Sequence, residues 1–153
     1  MFTESFQVEL SPEFPEGSAI RYTTDGSIPT AESTLYTQPI EITTTTRIRA
    51  RTFAEGWQAG PIEQETWLKA GDDVKAFSSN LPLVVLDSLG FNVNGDATRR
   101  RHHGYSVVVD VDADTGQSSL LGDPDYAGNM GFNVRGQTSG NFPKKSYRLE
   151  VIN

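Results

Sequence analysis

The chain contains no cysteine, little helical periodicity and no long hydrophobic run. The absence of cysteine excludes disulfides, thiolate zinc sites and a cysteine nucleophile. No apolar run approaches the roughly 20 residues that a membrane-spanning helix needs, so we expect no membrane span. The first four residues contain neither a basic segment nor an apolar one, so we expect no signal peptide in this sequence. The nearest candidate for a helix, residues 70–78, is short and contains a glycine.

The charge balance narrows the choice of partners. The 153 residues carry a formal net charge of −7, and the isoelectric point is about 4.7. An acidic chain repels phosphate backbones, so we expect no nucleic-acid partner. The same balance is compatible with a divalent cation. The hydrophobic content of 36%, which includes 8 Phe and 5 Tyr, is enough for a packed core.

Short strand patterns are common along the chain. Residues 20–23 alternate Ile and Tyr with Arg and Thr, and the turn formers Asp25-Gly26 follow them. Similar patterns, separated by Gly- and Pro-containing turns, predict an all-β fold that begins with an antiparallel Ig-like β-sandwich. The predicted strands cover residues 5–10, 19–24, 40–42, 47–53, 62–68, 81–87, 105–112, 130–135 and 146–152.

A change in the spacing of the strand patterns divides the chain into two parts. We predict a sandwich module over residues 1–68, a polar linker over 69–80 and a partial second β-unit over 81–153. The apolar run at residues 83–86 predicts a strand that is buried on both faces. Residues 91–104 and 113–128 are predicted as long loops, which are either functional or disordered in small domains. Because the chain ends directly after a strand pattern, we expect it to be part of a longer protein.

The first part resembles a known family. The matching runs are IRYTTDGSIPT at residues 20–30, LYTQPI at 35–40 and TRIRAR at 46–51. Residues 2–68 resemble the Ig-like module found at the C-terminus of chitobiases and β-hexosaminidases, which also accompanies many bacterial secreted proteins. This resemblance implies a sandwich without catalytic residues.

The second part resembles another family. The matching runs are LPLVVLD at residues 81–87, GFNVRG at 131–136 and SGNFPKKSY at 139–147. Residues 80–153 resemble the beginning of a CotH-type domain, named for spore coat protein H and described as an atypical kinase fold. The resemblance implies that the catalytic apparatus lies downstream, so we expect this chain not to be an enzyme. Large bacterial surface proteins often join the two modules in this order.

One acidic stretch has the spacing of a calcium loop. Asp110, Asp112 and Asp114 form a D-x-D-x-D pattern of oxygen ligands. The pattern departs from an EF-hand because its glycine falls one position late and Leu121 replaces the bidentate glutamate. The alternative is structural, with the first two carboxylates pointing outward from a strand and the third in a turn. A calcium ion is therefore the one cofactor that the sequence leaves open.

Three basic side chains near the end of the chain are candidate phosphate or anion ligands. They are Arg135, Lys144 and Lys145, which the CotH-type resemblance would place near a nucleotide. The alternative is that Arg135 anchors a turn and that the lysines are edge-strand charges that discourage aggregation. The basic run at residues 99–103, RRRHH, is open to the same two interpretations, as an anion site or a solvated loop.

Aromatic residues raise a further possibility. Trp57 follows a glycine in a predicted turn, where an exposed ring could stack on a sugar, although it could also cover the end of the sandwich. Trp67 is expected in the core.

These observations favour a non-catalytic extracellular or cell-surface module of a bacterial protein, serving as a spacer, adhesion or interaction domain. Its expected partners are other domains of the same protein and a second copy paired through the strand at residues 146–152. The alternatives are the N-terminal portion of a CotH-type kinase, inactive in this fragment, and a carbohydrate-binding accessory module.

Overall fold

The structure, a computed structural model, describes residues 1–12, 17–95, 98–136 and 142–152. These residues form antiparallel β-sheets joined by loops and two short 3-10 turns, at Asp72–Val74 and Val93–Gly95. The all-β prediction is confirmed. The chain divides into two compact units, Met1–Gly71 and Asp72–Asn153. The predicted boundaries of the domains and linker stay a prediction.

The first unit contains two antiparallel sheets. The smaller sheet pairs β1 with β4, and the larger has the order β3-β2-β5-β6. The two-residue strand β3 was not predicted, because two residues are too few to show alternation. The strands are β1 Phe6–Val8, β2 Ala19–Thr23, β3 Thr34–Leu35, β4 Ile40–Ile42, β5 Thr46–Phe53 and β6 Ile62–Trp67.

The core of the first unit uses one face of the larger sheet. Ile20 on β2 and Ile48 on β5 are buried, as is Ile42 on the smaller sheet. The ring of Trp67 packs edge-on against Phe6, with the ring centroids 5.9 Å apart. Alternate residues of a strand point to opposite faces, so the residues between these core positions lie on the outer face.

Two distant stretches close the first unit. The Phe2 amide donates to the Leu68 carbonyl over 3.0 Å, and the Ala70 amide donates to the Phe2 carbonyl over 2.8 Å. Phe2 and Lys69 thereby form a parallel bridge. The chain thus runs in the same direction at residues 2 and 69.

The second unit has a four-stranded sheet in the order β12-β11-β9-β8 and a short pair, β7 with β10. Two-residue strands again escaped prediction. The strands are β7 Ser78–Ser79, β8 Leu83–Asp87, β9 His102–Val109, β10 Ser118–Ser119, β11 Tyr126–Arg135 and β12 Ser146–Val151.

One face of β11 carries the core of this sheet. Phe132 and Val134 are buried together with Val93 from a 3-10 turn, and Tyr147 on β12 packs against them. Gly104 on β9 lies opposite Met130 in the ladder. An added Cβ at this glycine would stand inside 3.0 Å of both the Asp87 carbonyl and the Phe132 ring. The ring therefore occupies space that only a glycine leaves open.

Three sequence predictions for this unit are wrong. The apolar strand β8 is not buried on both faces, because it forms an edge of the described sheet and Val84 is 53% exposed. A short apolar run does not distinguish a central strand from an edge strand. The predicted loop at 91–104 is shorter, since His102 and His103 already belong to β9. Likewise, β11 begins at Tyr126, within the predicted loop at 113–128.

The part of the chain that the structure describes contains no helix with the length and hydrophobicity needed to cross a membrane.

Candidate functional site

The predicted calcium residues lie in the loop after β9. The amide of Asp110 donates to Asp125 Oδ2 over 2.7 Å. Asp112 Oδ1 accepts hydrogen bonds from the amides of Asp114 and Thr115, at 3.1 and 2.8 Å, and from the Thr115 hydroxyl at 2.9 Å. The strand ends at Val109, so the predicted outward alternation of the first two carboxylates along it is wrong.

Through these hydrogen bonds Asp112 stabilises the conformation of its own loop. Two hydrogen bonds from Thr115 hold the pKa of Asp112 below its ordinary value, and the bond from the amide has a larger effect than the bond from the hydroxyl. In the described ranges, no three His, Asp or Glu side chains are placed to hold one metal ion. Calcium binding at Asp110, Asp112 and Asp114 stays a prediction.

The turn after β2 has the same design. Asp25 Oδ1 accepts hydrogen bonds from the Ser27 hydroxyl at 2.6 Å and from the Ser27 amide at 2.9 Å. Gly26 has a φ of 82°, which glycine adopts without strain. The hydrogen bonds from Ser27 lower the pKa of Asp25. This loop is a turn braced by its own carboxylate.

The predicted anion ligands lie at one end of the β11–β12 hairpin. Arg135 is the last residue of β11 and pairs with Ser146, the first residue of β12. Lys144 and Lys145 immediately precede that serine, so the register brings the three basic residues to the same end of the sheet. The residues 139–141 of the matching run lie outside the described residues.

The basic run before β9 has two different environments. The His102 ring stacks on Phe91 with 3.7 Å between centroids, whereas His103 is exposed. Arg101 Nη1 donates to Glu150 Oε2 over 2.6 Å, and this bond holds the pKa of Glu150 below its ordinary value. The stem of Arg101 crosses Gly131, where an added Cβ would stand 2.6 Å from its Cδ. Arg101 therefore joins β12 to the start of β9.

A larger basic surface, which the sequence did not predict, lies on the first unit. Arg47, Arg49 and Arg51 are alternate residues of β5 and therefore share a face. Arg21 on β2 lies directly opposite Arg51 in the ladder and joins them. The buried Ile48 lies on the other face. We call Arg21, Arg47, Arg49 and Arg51 the arginine face.

Neutral groups orient two of these arginines. Arg21 Nη1 donates to the Ser33 carbonyl over 3.0 Å. Arg49 donates from Nη1 to the Gly26 carbonyl over 2.8 Å and from Nε to the Gln64 side-chain oxygen over 3.1 Å. The acceptors of both guanidiniums are thus neutral oxygens.

Arg51 holds the loop between β5 and β6. Its Nε donates to the Gly60 carbonyl over 2.6 Å and its Nη2 to the Ala59 carbonyl over 3.2 Å. Its guanidinium carbon also lies 5.9 Å from the centroid of the Phe53 ring. Trp57 lies in this loop with 61% of its surface exposed. Sugar stacking by Trp57 stays a prediction, as does the alternative that it covers the end of the sandwich.

The RIRAR run at residues 47–51 was the sequence feature that could have predicted part of this surface. Its alternation showed that the three arginines share a face. The pairing with Arg21, however, depends on the register between β2 and β5, which the sequence does not specify.

Comparison with known proteins connects the first unit to one family. Residues 1–64 match the family model of the chitobiase/β-hexosaminidase C-terminal domain. This part of the predicted resemblance is confirmed, and in that family the domain is an accessory domain rather than the catalytic one. The CotH-type resemblance of the second part has no support from these comparisons. No curated protein and no solved structure matches the chain.

Proposed function

We propose that this chain is a non-catalytic accessory module of an extracellular or cell-surface bacterial protein, where it acts as a spacer, adhesion or interaction domain. The observation that carries the proposal is the match of residues 1–64 to an accessory domain, on a unit that forms two antiparallel sheets. A sandwich of this kind presents fixed loops and sheet faces and needs no chemistry of its own.

Labelling of intact cells tests the location. An antibody raised against this chain should bind intact cells of the native host without permeabilisation. A signal that appears only after lysis contradicts an extracellular module. Hydrolysis of a chromogenic N-acetylglucosaminide by the purified chain would contradict the non-catalytic role, provided that the activity follows the protein through successive purification steps.

A carbohydrate-binding role is the second candidate, favoured by the exposed Trp57. Its loop is fixed by the two hydrogen bonds from Arg51, so an exposed ring is presented in a set position. Stacking of a sugar on a Trp face requires such exposure. Sedimentation with insoluble chitin and cellulose tests this role, and Trp57→Ala should abolish binding. Retention of full binding by Trp57→Ala excludes that ring as the platform.

The CotH-type interpretation of residues 80–153 remains a third proposal. The β11–β12 register supports it by bringing Arg135 to the end of the hairpin where Lys144 and Lys145 lie. Three cations at one sheet end can hold a phosphate group. Titration with a fluorescent ATP analogue tests the site, and unchanged binding in an Arg135→Gln, Lys144→Gln double variant would exclude it.

A further inference from the structure

Charge is strongly segregated in the first unit. Residues 1–71 contain ten Asp and Glu residues but only five Lys and Arg residues. Four of these five form the arginine face, on the outer side of a single sheet. The acidic residues of β6, Glu63 and Glu65, pair with Ala50 and Ile48 and therefore lie on the opposite face. The unit is acidic as a whole and basic on this one surface.

Three of the four arginines on this surface, Arg21, Arg49 and Arg51, have neutral hydrogen-bond acceptors. The acceptors of Arg21, Arg49 and Arg51 are backbone carbonyls and one amide side chain. In the described part of the chain, none of these three guanidiniums forms an ion pair with a carboxylate. Nη2 of Arg49 and Nη1 of Arg51 have no hydrogen-bond acceptor there. Oriented donors thus remain available.

The arrangement works against the stability of the free sheet. Arg21 and Arg51 lie directly opposite each other, and like charges at opposite positions destabilise an antiparallel pair. Alternate residues on β5 are about 7 Å apart, which is within the Debye length of about 8 Å at physiological salt. A bound polyanion would remove this repulsion.

We propose that the arginine face binds an acidic polysaccharide through the carboxylate or sulfate groups of successive sugars. Guanidinium forks suit planar or trigonal anionic groups, which they bind with paired hydrogen bonds. The flat outer face of a sheet accommodates an extended chain. The exposed ring of Trp57 lies in the loop that Arg51 holds, where it adds a surface for a sugar ring.

The spacing of the charges favours a polysaccharide over nucleic acid. Successive arginines of β5 place one charge about every 7 Å. A nucleic acid carries a charge about every 3.4 Å along each strand, so half of its phosphates would have no partner on this face. A polymer with one acidic group on a sugar matches the sparser row. This inference goes beyond the accessory role because it names a ligand class and a site.

Affinity electrophoresis of the full chain tests the proposal. The gels contain polygalacturonate or dextran sulfate, with fully methyl-esterified polygalacturonate and plain dextran as neutral counterparts. We expect retardation by at least one acidic polymer and none by its neutral form. Added salt should weaken the retardation, because screening reduces the attraction. The polymer that retards more strongly identifies carboxylate or sulfate as the preferred group.

Substitutions locate the site. Arg49→Gln should weaken binding about two- to fivefold, the range expected for one partly exposed charged contact. The Arg21→Gln, Arg49→Gln double variant should lose about tenfold. Arg148→Gln in the second unit makes the same change in net charge and is the matched control, with no expected loss.

One variant tests the surface without removing a contact. Leu35 lies opposite Arg21 on the edge strand β3 and is 43% exposed. Leu35→Glu places a carboxylate beside the arginine face, so binding should weaken although all four arginines remain. Tryptophan fluorescence confirms that each first-unit variant is folded, because Trp57 and Trp67 both belong to that unit. Circular dichroism does the same for Arg148→Gln.

Three results would overturn the proposal. One is the absence of retardation by either acidic polymer. Another is an equal loss in Arg148→Gln and Arg49→Gln, which would mean that net charge alone drives binding. The last is preference for single-stranded DNA over both acidic polymers, with sensitivity to Arg49→Gln, which would make the ligand a nucleic acid. The cell-labelling experiment is independent of all three, so the accessory role and this site fail separately.

Discussion

Replacing Gly104 by alanine should destabilise the second unit. The new Cβ would meet the Asp87 carbonyl on β8 and the Phe132 ring on β11. The carbonyl belongs to the backbone of the neighbouring strand and cannot rotate away. The substitution therefore separates β8 from β9 or displaces the ring from the core that Val134 and Tyr147 form with it.

Two effects of opposite sign set the magnitude. Overpacking a closely packed core by one methyl group costs about 1–3 kcal/mol. Replacing glycine also lowers the conformational entropy of the unfolded chain, which stabilises the folded state by about 0.4–1 kcal/mol. We expect a net loss of about 1–2 kcal/mol in the free energy of unfolding. For a unit of this size that corresponds to a fall of roughly 5–15 °C in the melting temperature.

Hydrogen exchange measured by mass spectrometry resolves the loss by region. Peptides from β8, β9 and β11 should exchange faster in Gly104→Ala. Tryptophan fluorescence provides the internal reference, because both tryptophans belong to the first unit and should report an unchanged transition.

Gly131→Ala is the matched control on the adjacent strand. Its Cβ would meet only the flexible side chain of Arg101, at 2.6 Å from Cδ. Arg101 can move aside, at the expense of its exposed ion pair with Glu150, and exposed ion pairs contribute little to stability. Equal losses in the two variants would refute the reasoning that backbone contact makes Gly104 irreplaceable.

Three further predictions concern pH, association and activity. Because its folded-state pKa is depressed, Asp112 stabilises the protein above its ordinary pKa of about 3.8, and this contribution is lost as the pH falls through the lower folded value. Asp112→Asn should therefore lose stability at about pH 5 and approach the native chain at about pH 2; parallel melting curves at the two pH values would contradict this. In the β11–β12 ladder the Ile152 amide donates to the Asn129 carbonyl. Amides alternate in direction along a strand, so the amide of Leu149, three residues earlier, points to the open edge of the described sheet. Leu149→Pro should therefore reduce self-association without breaking the ladder. Light scattering measures the shift, and a native chain that is monomeric at high concentration would exclude pairing through β12. Finally, the chain should transfer no phosphate from labelled ATP with Mg²⁺, because the sequence offers no base and Mg²⁺-binding acid at kinase spacing; incorporation that scales with the purified chain would disprove this.

Alternation predicted the longer strands well because it reports a local property. The predicted strand at residues 40–42 matches β4, and the prediction at 47–53 misses β5 by one residue. The pairs β3 with β2 and β7 with β10 depend on tertiary contacts, and two-residue strands have no pattern of their own. The position of β8 at an edge of the sheet likewise depends on its neighbouring strands. Its apolar sequence alone does not predict that position.

The candidate sites were predictable only where one segment carries the information. The turn at Asp25 and Gly26 follows from residue types with strong turn preferences. The spacing of Asp110 and Asp112 suggested shared ligands, whereas local hydrogen bonds within the loop compete for the same oxygens. The arginine face required the register between β2 and β5, which pairs Arg21 with Arg51, 30 residues further along the chain, and no local pattern provides it.

The parallel bridge between Phe2 and Lys69 has a mechanical consequence. A pull applied before residue 2 and after residue 70 loads the two flanking hydrogen bonds together in shear, because the two stretches run side by side in the same direction. The folded unit adds only a few ångströms between its attachment points, whereas its 67 intervening residues would extend by roughly 220 Å once released. In an optical trap this release should appear as a single step, and smooth lengthening would contradict it. Under tension the unit should therefore stay short until the two hydrogen bonds break, and it should then release the length of its unfolded chain.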